Sequence, residues 1–197
     1  MAKPAEYLEQ KHYTFADIDA TDDEIRRELV DGVIYDVAAP VVVHQEIVVK
    51  IITQLENFLR GRKCEVLVSP SVRLMVRKRD DTVFIPDIVV ICQSSKLDPK
   101  GKGCKGAPDL VVEVLSPSTA YFDRHLKYNK YLEAGVPEYW IVDPSGRLAE
   151  VYILKDGEYK RFIYNETDTL PVHILPGCGI DLSTVFPKED FDWQDEE

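Results

Sequence analysis

The chain has 197 residues, 45% of them apolar and 30% charged, which excludes a disordered chain and gives one domain enough material for a real core. Its formal net charge of −11 argues against a protein that coats nucleic acid without specificity. No apolar run approaches the roughly 18 residues that a membrane span requires, and "MAKPAEYLEQKHYTF" at the start contains no apolar signal-peptide region.

In chain order, residues 6 to 27 read as an acidic, helical lead-in. "RELVDGVIYDV" (27 to 37) is a hairpin signal, with Asp31-Gly32 as a two-residue turn between apolar runs. Pro40 opens a helix in which Val43, Ile47, Ile51, Leu55 and Phe58 recur at spacings of three and four, and Gly61 stops it. "CEVLVSPSVRLMV" (64 to 76) is a strand interrupted near Pro70, and "TVFIPDIVVIC" (82 to 92) is the next strand. A Lys/Gly-rich loop over 94 to 107 leads to a strand at 109 to 115. Residues 117 to 135 read as a helix, capped by Ser118 or Thr119 and ended by Gly135. "EYWIVDP" (138 to 144) is a short strand, and 148 to 165 is a second, half-exposed hairpin. The order α-β-β-β-α-β over about 40 to 144 predicts a single mixed α/β domain. It is flanked by the lead-in and hairpin at 6 to 37, the hairpin at 148 to 165 and an acidic tail at 188 to 197.

Charge is unevenly spread. Arg60, Arg62, Lys63, Arg73, Arg77, Lys78 and Arg79 face one acid, Glu65, within residues 60 to 79, and Lys96, Lys100, Lys102 and Lys105 follow. They make either a local basic surface or an ordinary solvated one. Cys64, Cys92, Cys104 and Cys178 fit no zinc spacing and are expected as free thiols in a reducing cytoplasm.

The chemical signal lies in "PDLVVEVLSPS" (108 to 118), where Glu113 interrupts an apolar strand. Alternation puts Asp109, Val111, Glu113 and Leu115 on one face and Leu110, Val112 and Val114 on the other. A carboxylate buried there must be paired, protonated or bound to a cation. A salt bridge to the neighbouring helix would satisfy it. Asp87 offers a second carboxylate at the front of another apolar strand, or else is a plain strand-start acid after Pro86. Two hard oxygen ligands with open positions suit Mg²⁺ or Mn²⁺ better than zinc. Asp123, Lys127 and Tyr131 share a helix face, so Lys127 either reaches back over the carboxylates or pairs with Asp123 on the surface. Asp109 sits about 13 Å from Glu113 along the strand, too far to share an ion, and reads as structural. Tyr131, Tyr139 and Trp140 read as packing residues, and Ser116 has no histidine placed to activate it.

With "ELVDG", "HQEIV", "IPDIVVI", "GAPDLVVEVLSPST", "DRHLKYNKYLEAGVPEYWIVDP" and the weaker "VYIL" in this order, the chain resembles the PD-(D/E)XK nuclease superfamily and, within it, the Uma-two family of restriction endonucleases, over about residues 14 to 185. The resemblance implies a restriction endonuclease-like α/β core with flanking β-hairpins and a metal-dependent endonuclease acting on DNA. It implies Mg²⁺ or Mn²⁺ held by Asp87, Glu113 and the carbonyl of Val114. The superfamily's lysine would stand at Leu115, so "EVL" replaces E-x-K. The resemblance points to Lys127 on the following helix instead, with Lys130 as runner-up, about 300° around that helix. It adds Glu28 as a further candidate ligand. His44 is a further candidate too, although it shares a face with Val48, Ile51 and Leu55 and reads first as a core-edge histidine. A homodimer joined through the hairpin at 148 to 164 would suit a nuclease that cuts both strands. The alternative is a nuclease-fold module that has lost catalysis and binds or regulates.

Overall fold

The computed structural model describes residues 11–20, 26–37, 39–98, 103–117 and 119–187. The tail at 188–197, Ser118, Lys100, Lys102 and residues 6–10 and 21–25 of the lead-in lie outside them. The described part of the lead-in contains α1 (Phe15–Asp19), and the chain is already a strand at Arg27.

Two mixed sheets organise the chain. The larger contains β3 (Glu65–Val68), β6 (Ile88–Ile91), β8 (Leu110–Val114), β9 (Glu138–Asp143), β10 (Leu148–Lys155) and β11 (Glu158–Asn165), in the order β11-β10-β9-β8-β6-β3. Only β8 and β9 run parallel in it, joined by a helical crossover that ends in α3 (Tyr128–Ala134). The smaller contains β1 (Arg27–Val30), β2 (Val33–Asp36), β4 (Ser71–Leu74), β5 (Thr82–Phe84) and β7 (Gly103–Lys105), in the order β2-β1-β5-β4-β7. A two-stranded piece, β12 (Thr169–Pro171) and β13 (Gly179–Asp181), completes the set.

Both Asp-Gly pairs make the hairpins read from sequence. Asp31 and Gly32 have φ of 47° and 80°, and Asp156 and Gly157 have 53° and 83°, the mirror-image turn that matches strand twist. The long helix is α2 (Val42–Leu59), with Ile47, Val48, Ile51, Leu55 and Leu59 buried. The stripe packs on one face of the larger sheet, against Ile88, Val90, Leu110, Val112 and Val114. Leu170, Ile180 and Val185 close that layer from a segment to which the sequence assigned no element. The other face carries Val89, Val111, Leu115, Tyr139 and Ile141, and packs on Tyr131 and on Val72, Leu74 and Phe84 of the smaller sheet. The alternation expected along 109–115 is thus the division between the two cores.

The sheets are joined where the sequence suggested only one interruption. β3 pairs with β6 at Val68↔Ile88, and β4 with β5 at Val72↔Phe84. The two pairings share one antiparallel register, which runs through both and sets Pro70 opposite Pro86. The Ser69 N–H still reaches the Asp87 carbonyl at 2.9 Å, but the Ile85 N–H beyond the prolines goes to the Glu28 side chain, and the hairpin bends from one sheet into the other. The strand expected over 82–92 is therefore two strands, with Ile85, Pro86 and Asp87 at the bend.

The same register puts Cys64 opposite Cys92, and they form a disulfide with Cα atoms 4.0 Å apart. This corrects the expectation of four free thiols: residues 28 apart in sequence meet because the strands pair. Cys104 and Cys178 are free and buried. Acids pair with five of the nine described members of the basic runs, while Arg60, Arg62, Lys63 and Lys78 make no ion pair with the described residues. Arg73 pairs with Asp19, Arg77 with Glu133, Arg79 with Asp31 and Asp81, Lys96 with Asp109, and Lys105 with Asp98. Among the described residues no helix is long and apolar enough to cross a membrane.

Candidate active site

The bend at Pro86 leaves the end of the larger sheet open. A cavity of roughly 420 Å³ lies there, between the first turns of α2, the β1–β2 hairpin and the ends of β6 and β8. Asp87, Glu113, Val114, Lys127, Glu28 and His44 all line it.

Asp87 sits at the bend, one residue before β6, in line with Glu113 on β8. Its Oδ2 accepts the N–H of Val114 at 2.8 Å and faces His44 Nε2 at 3.0 Å. The other ring nitrogen of His44, Nδ1, is buried and has no hydrogen-bond partner among the described residues. His44 is thus held at the core edge, as its helix face suggested, with its ring turned to Asp87 rather than into the apolar layer.

Glu113 is 3% exposed. Its Oε1 accepts hydrogen bonds from Lys127 Nζ at 2.9 Å and from the Tyr131 hydroxyl at 3.0 Å. Lys127, 5% exposed, also meets Glu28 Oε1 at 3.1 Å and Asp123 Oδ1 at 3.3 Å. The surface Asp123/Lys127 pair is therefore excluded, since both residues are buried. Glu28 receives a second bond, from the Ile85 N–H freed at the bend, at 2.9 Å. The helix carrying Asp123 and Lys127 is π-helical over Phe122–Lys127 before it becomes α3. Lys130, the runner-up, is turned away. Its Nζ bonds Asp31 at 2.7 Å, on the hairpin turn outside the cavity, as three residues of helical rotation require. Asp109 accepts from the Cys92 N–H at 2.7 Å and pairs with Lys96.

Charge is out of balance here. Burial raises the Glu113 pKa well above its ordinary value; Lys127 opposes this, and Asp123, Asp87 and Glu28 add to it. Burial likewise raises Asp123. Burial would lower Lys127, but Glu113, Glu28 and Asp123 outweigh it and hold the ammonium well above its usual pKa. Three carboxylates thus share one permanently charged ammonium, with Asp87 close by. A site in this condition gains from an additional positive charge, either a proton or a metal ion.

The donor set suits a hard divalent ion. Asp87 Oδ1 and Glu113 Oε2 take no hydrogen bond from the described residues, and Asp123 Oδ1 is a buried acceptor without a properly aligned donor. Among the described residues no three acid, histidine or cysteine side chains form a ready-made chelate. Mg²⁺ does not require one, because it is commonly held by one or two carboxylates, with waters and substrate phosphate completing its shell.

Sequence reasoning missed Asp123 as a member of the acid cluster, gave no role to Arg26 and read Thr119 only as a helix cap; all three line the cavity. Asp123 was detectable, four residues before Lys127. Arg26 becomes visible only through the fold, which brings the start of β1 beside the bend.

A Pro-Asp at a strand break, a glutamate within the adjacent buried strand and a lysine on the following helix, set in this mixed α/β frame, define a restriction endonuclease-like fold. The chain belongs to the Uma2 family, described as "Putative restriction endonuclease", whose model matches residues 6–183. Two proteins of Synechocystis sp. (strain ATCC 27184 / PCC 6803 / Kazusa) are similar to it. "Uncharacterized protein slr1290" is 31% identical over 147 residues, covering 74% of this chain and 75% of that protein. "Uncharacterized protein sll1609" is 28% identical over 140 residues, covering 71% and 73%. A crystal structure from Anabaena variabilis ATCC 29413, described as "a putative nuclease belonging to DUF820", superposes with a TM-score of 0.72 over 88% of this chain and 97% of that one. At 18% identity the likeness is one of fold.

Proposed function

We propose that the cavity is a divalent-metal-dependent phosphodiesterase centre and that the protein is an endonuclease acting on DNA. The observation that carries this is the meeting of Asp87, Glu113 and Lys127, from two strands and the following helix, at one cavity that is over-supplied with carboxylate. The family description and the nuclease named for the Anabaena structure point the same way.

Asp87, Glu113 and the carbonyl of Val114 would hold Mg²⁺ or Mn²⁺, which supplies Lewis acidity to activate a water and polarise the scissile phosphate. The Val114 N–H already points to Asp87, and in an extended strand the carbonyl of the same residue leaves on the same side. Lys127 is held protonated by its three carboxylates, so it serves as a fixed charge and not as a base. It fixes Glu113 Oε1, while Oε2 takes no hydrogen bond from the described residues. His44 fixes the second oxygen of Asp87 in the same manner. For a nuclease that cuts both strands, the exposed edge of β11, with Phe162 and Ile163 on its surface, is the pairing surface we favour for a homodimer.

One observation favours the second reading, a binding or regulatory module. Several of the cations that could have formed a local basic surface, Arg73, Arg79, Lys96 and Lys105, are paired with acids. Incubation with supercoiled plasmid and Mg²⁺ or Mn²⁺ separates the two. Nicked or linear product from the wild type, reduced at least about 100-fold in Asp87→Ala and Glu113→Gln, is the expected result. Equal cleavage by the variants would refute the site. Absence of cleavage by wild type together with absence of metal binding would leave the regulatory module.

A further inference from the structure

We propose that Arg26 is the phosphate-binding cation of this site and holds the phosphodiester over Asp87 and Glu113; the inference rests on the nuclease reading. A polyanion entering the cavity meets five lining carboxylates: Glu28, Asp36, Asp87, Glu113 and Asp123. Lys127 has no charge to spare for it, with three carboxylates within 3.3 Å. His44 is committed to Asp87.

Arg26 differs from both. It lines the cavity, is exposed and makes no ion pair with any described residue. Its position is set by backbone and not by chance. Its carbonyl accepts the N–H of Val37 at 3.0 Å, which extends the β1–β2 ladder by one residue. Alternation then puts the Arg26 side chain on the same face as Glu28, about 7 Å along the strand. Arg26 thus borders Glu28 on one strand face and lines the same cavity as Asp87 and Glu113, where a phosphate would be held. Its planar fork suits two phosphate oxygens, which a lysine would meet only as a point charge. The neighbouring arginine lacks this freedom, since Arg27 faces Asp36 at 3.3 Å.

The test is binding of a fluorescein-labelled twelve-residue oligothymidylate, followed by anisotropy in Ca²⁺ across a range of salt, alongside plasmid cleavage in Mg²⁺. Arg26→Ala and the uncharged Arg26→Gln should weaken binding several-fold and flatten the plot of log affinity against log salt by about 0.7, the loss of one phosphate contact to a single strand. Arg26→Lys should keep the slope while binding more weakly. Arg60→Ala, at the far end of α2, should match wild type. In cleavage, Arg26→Gln should raise KM more than it lowers kcat. If wild type cleaves and Glu113→Gln does not, yet both Arg26 variants keep the wild-type slope and KM, the Arg26 assignment is wrong and the nuclease reading stands. If Arg60→Ala flattens the slope equally, Arg26 is ordinary surface charge and the assignment also fails. If wild type neither binds nor cleaves, both proposals fall.

Discussion

Lys127 is the residue on which the site's electrostatics turn. Its ammonium is buried among Glu113, Glu28 and Asp123, and the Phe84 ring lies 5.6 Å from Nζ. Replacing it with a neutral side chain leaves three buried carboxylates without their counter-charge. Lys127→Met should therefore lower the unfolding free energy by about 3–5 kcal/mol, measured by urea denaturation. Combining it with Glu113→Gln should restore part of that loss, because one uncompensated charge is removed. A loss under about 1 kcal/mol for Lys127→Met would mean that the cluster is not held together by this ammonium. The sequence made Glu113 conspicuous, because a charge in an apolar strand demands a partner. It could not reveal that Lys127 serves three acids at once, since Glu28 lies far from Lys127 along the chain and meets it only through the second sheet.

At the scale of elements, the hairpin of β3–β4 and β5–β6 explains most. One register puts Cys64 opposite Cys92, Pro70 opposite Pro86, and so opens the sheet beside Asp87. Every one of these residues is plain in the sequence, and strands were expected at nearly the right places. The facing of prolines and of cysteines depends on register, which local pattern does not specify. The helix after β8 shows a similar limit. Its span and its stop at Gly135, where φ is 78°, follow from composition, whereas its π-helical turn leaves no mark on hydrophobic spacing. The disulfide closes a loop of about 28 residues, so its reduction should cost about 2–4 kcal/mol of stability, read as a lower denaturation midpoint in reductant. Cys92 and Asp87 stand at opposite ends of β6, about 17 Å apart along the strand, so reduction should leave metal affinity unchanged. Loss of metal binding on reduction while the protein remains folded would contradict this separation of scaffold from site.

For the molecule as a whole, the net charge is −11, and acids pair with Arg73, Arg79 and Lys96 of the basic runs. A polyanionic substrate must then be drawn by local charge, and the cavity is where that charge would be assembled. The composition made the acidity legible, and the uneven cation runs left a basic or an ordinary solvated surface open; only the folded neighbours, such as Asp19 beside Arg73, show which cations are paired. The central claim is that Asp87 and Glu113 bind a divalent ion. It is tested most directly by calorimetric titration of Mn²⁺ into wild type, Asp87→Asn and Glu113→Gln, at about pH 6 and about pH 8. Burial, reinforced by the neighbouring acids, makes Glu113 hold a proton above its ordinary range, and the metal must displace that proton. The account predicts wild-type binding that tightens from the lower to the higher pH, with each variant weakened at least about tenfold. No binding by wild type, or binding that both variants retain, would contradict it.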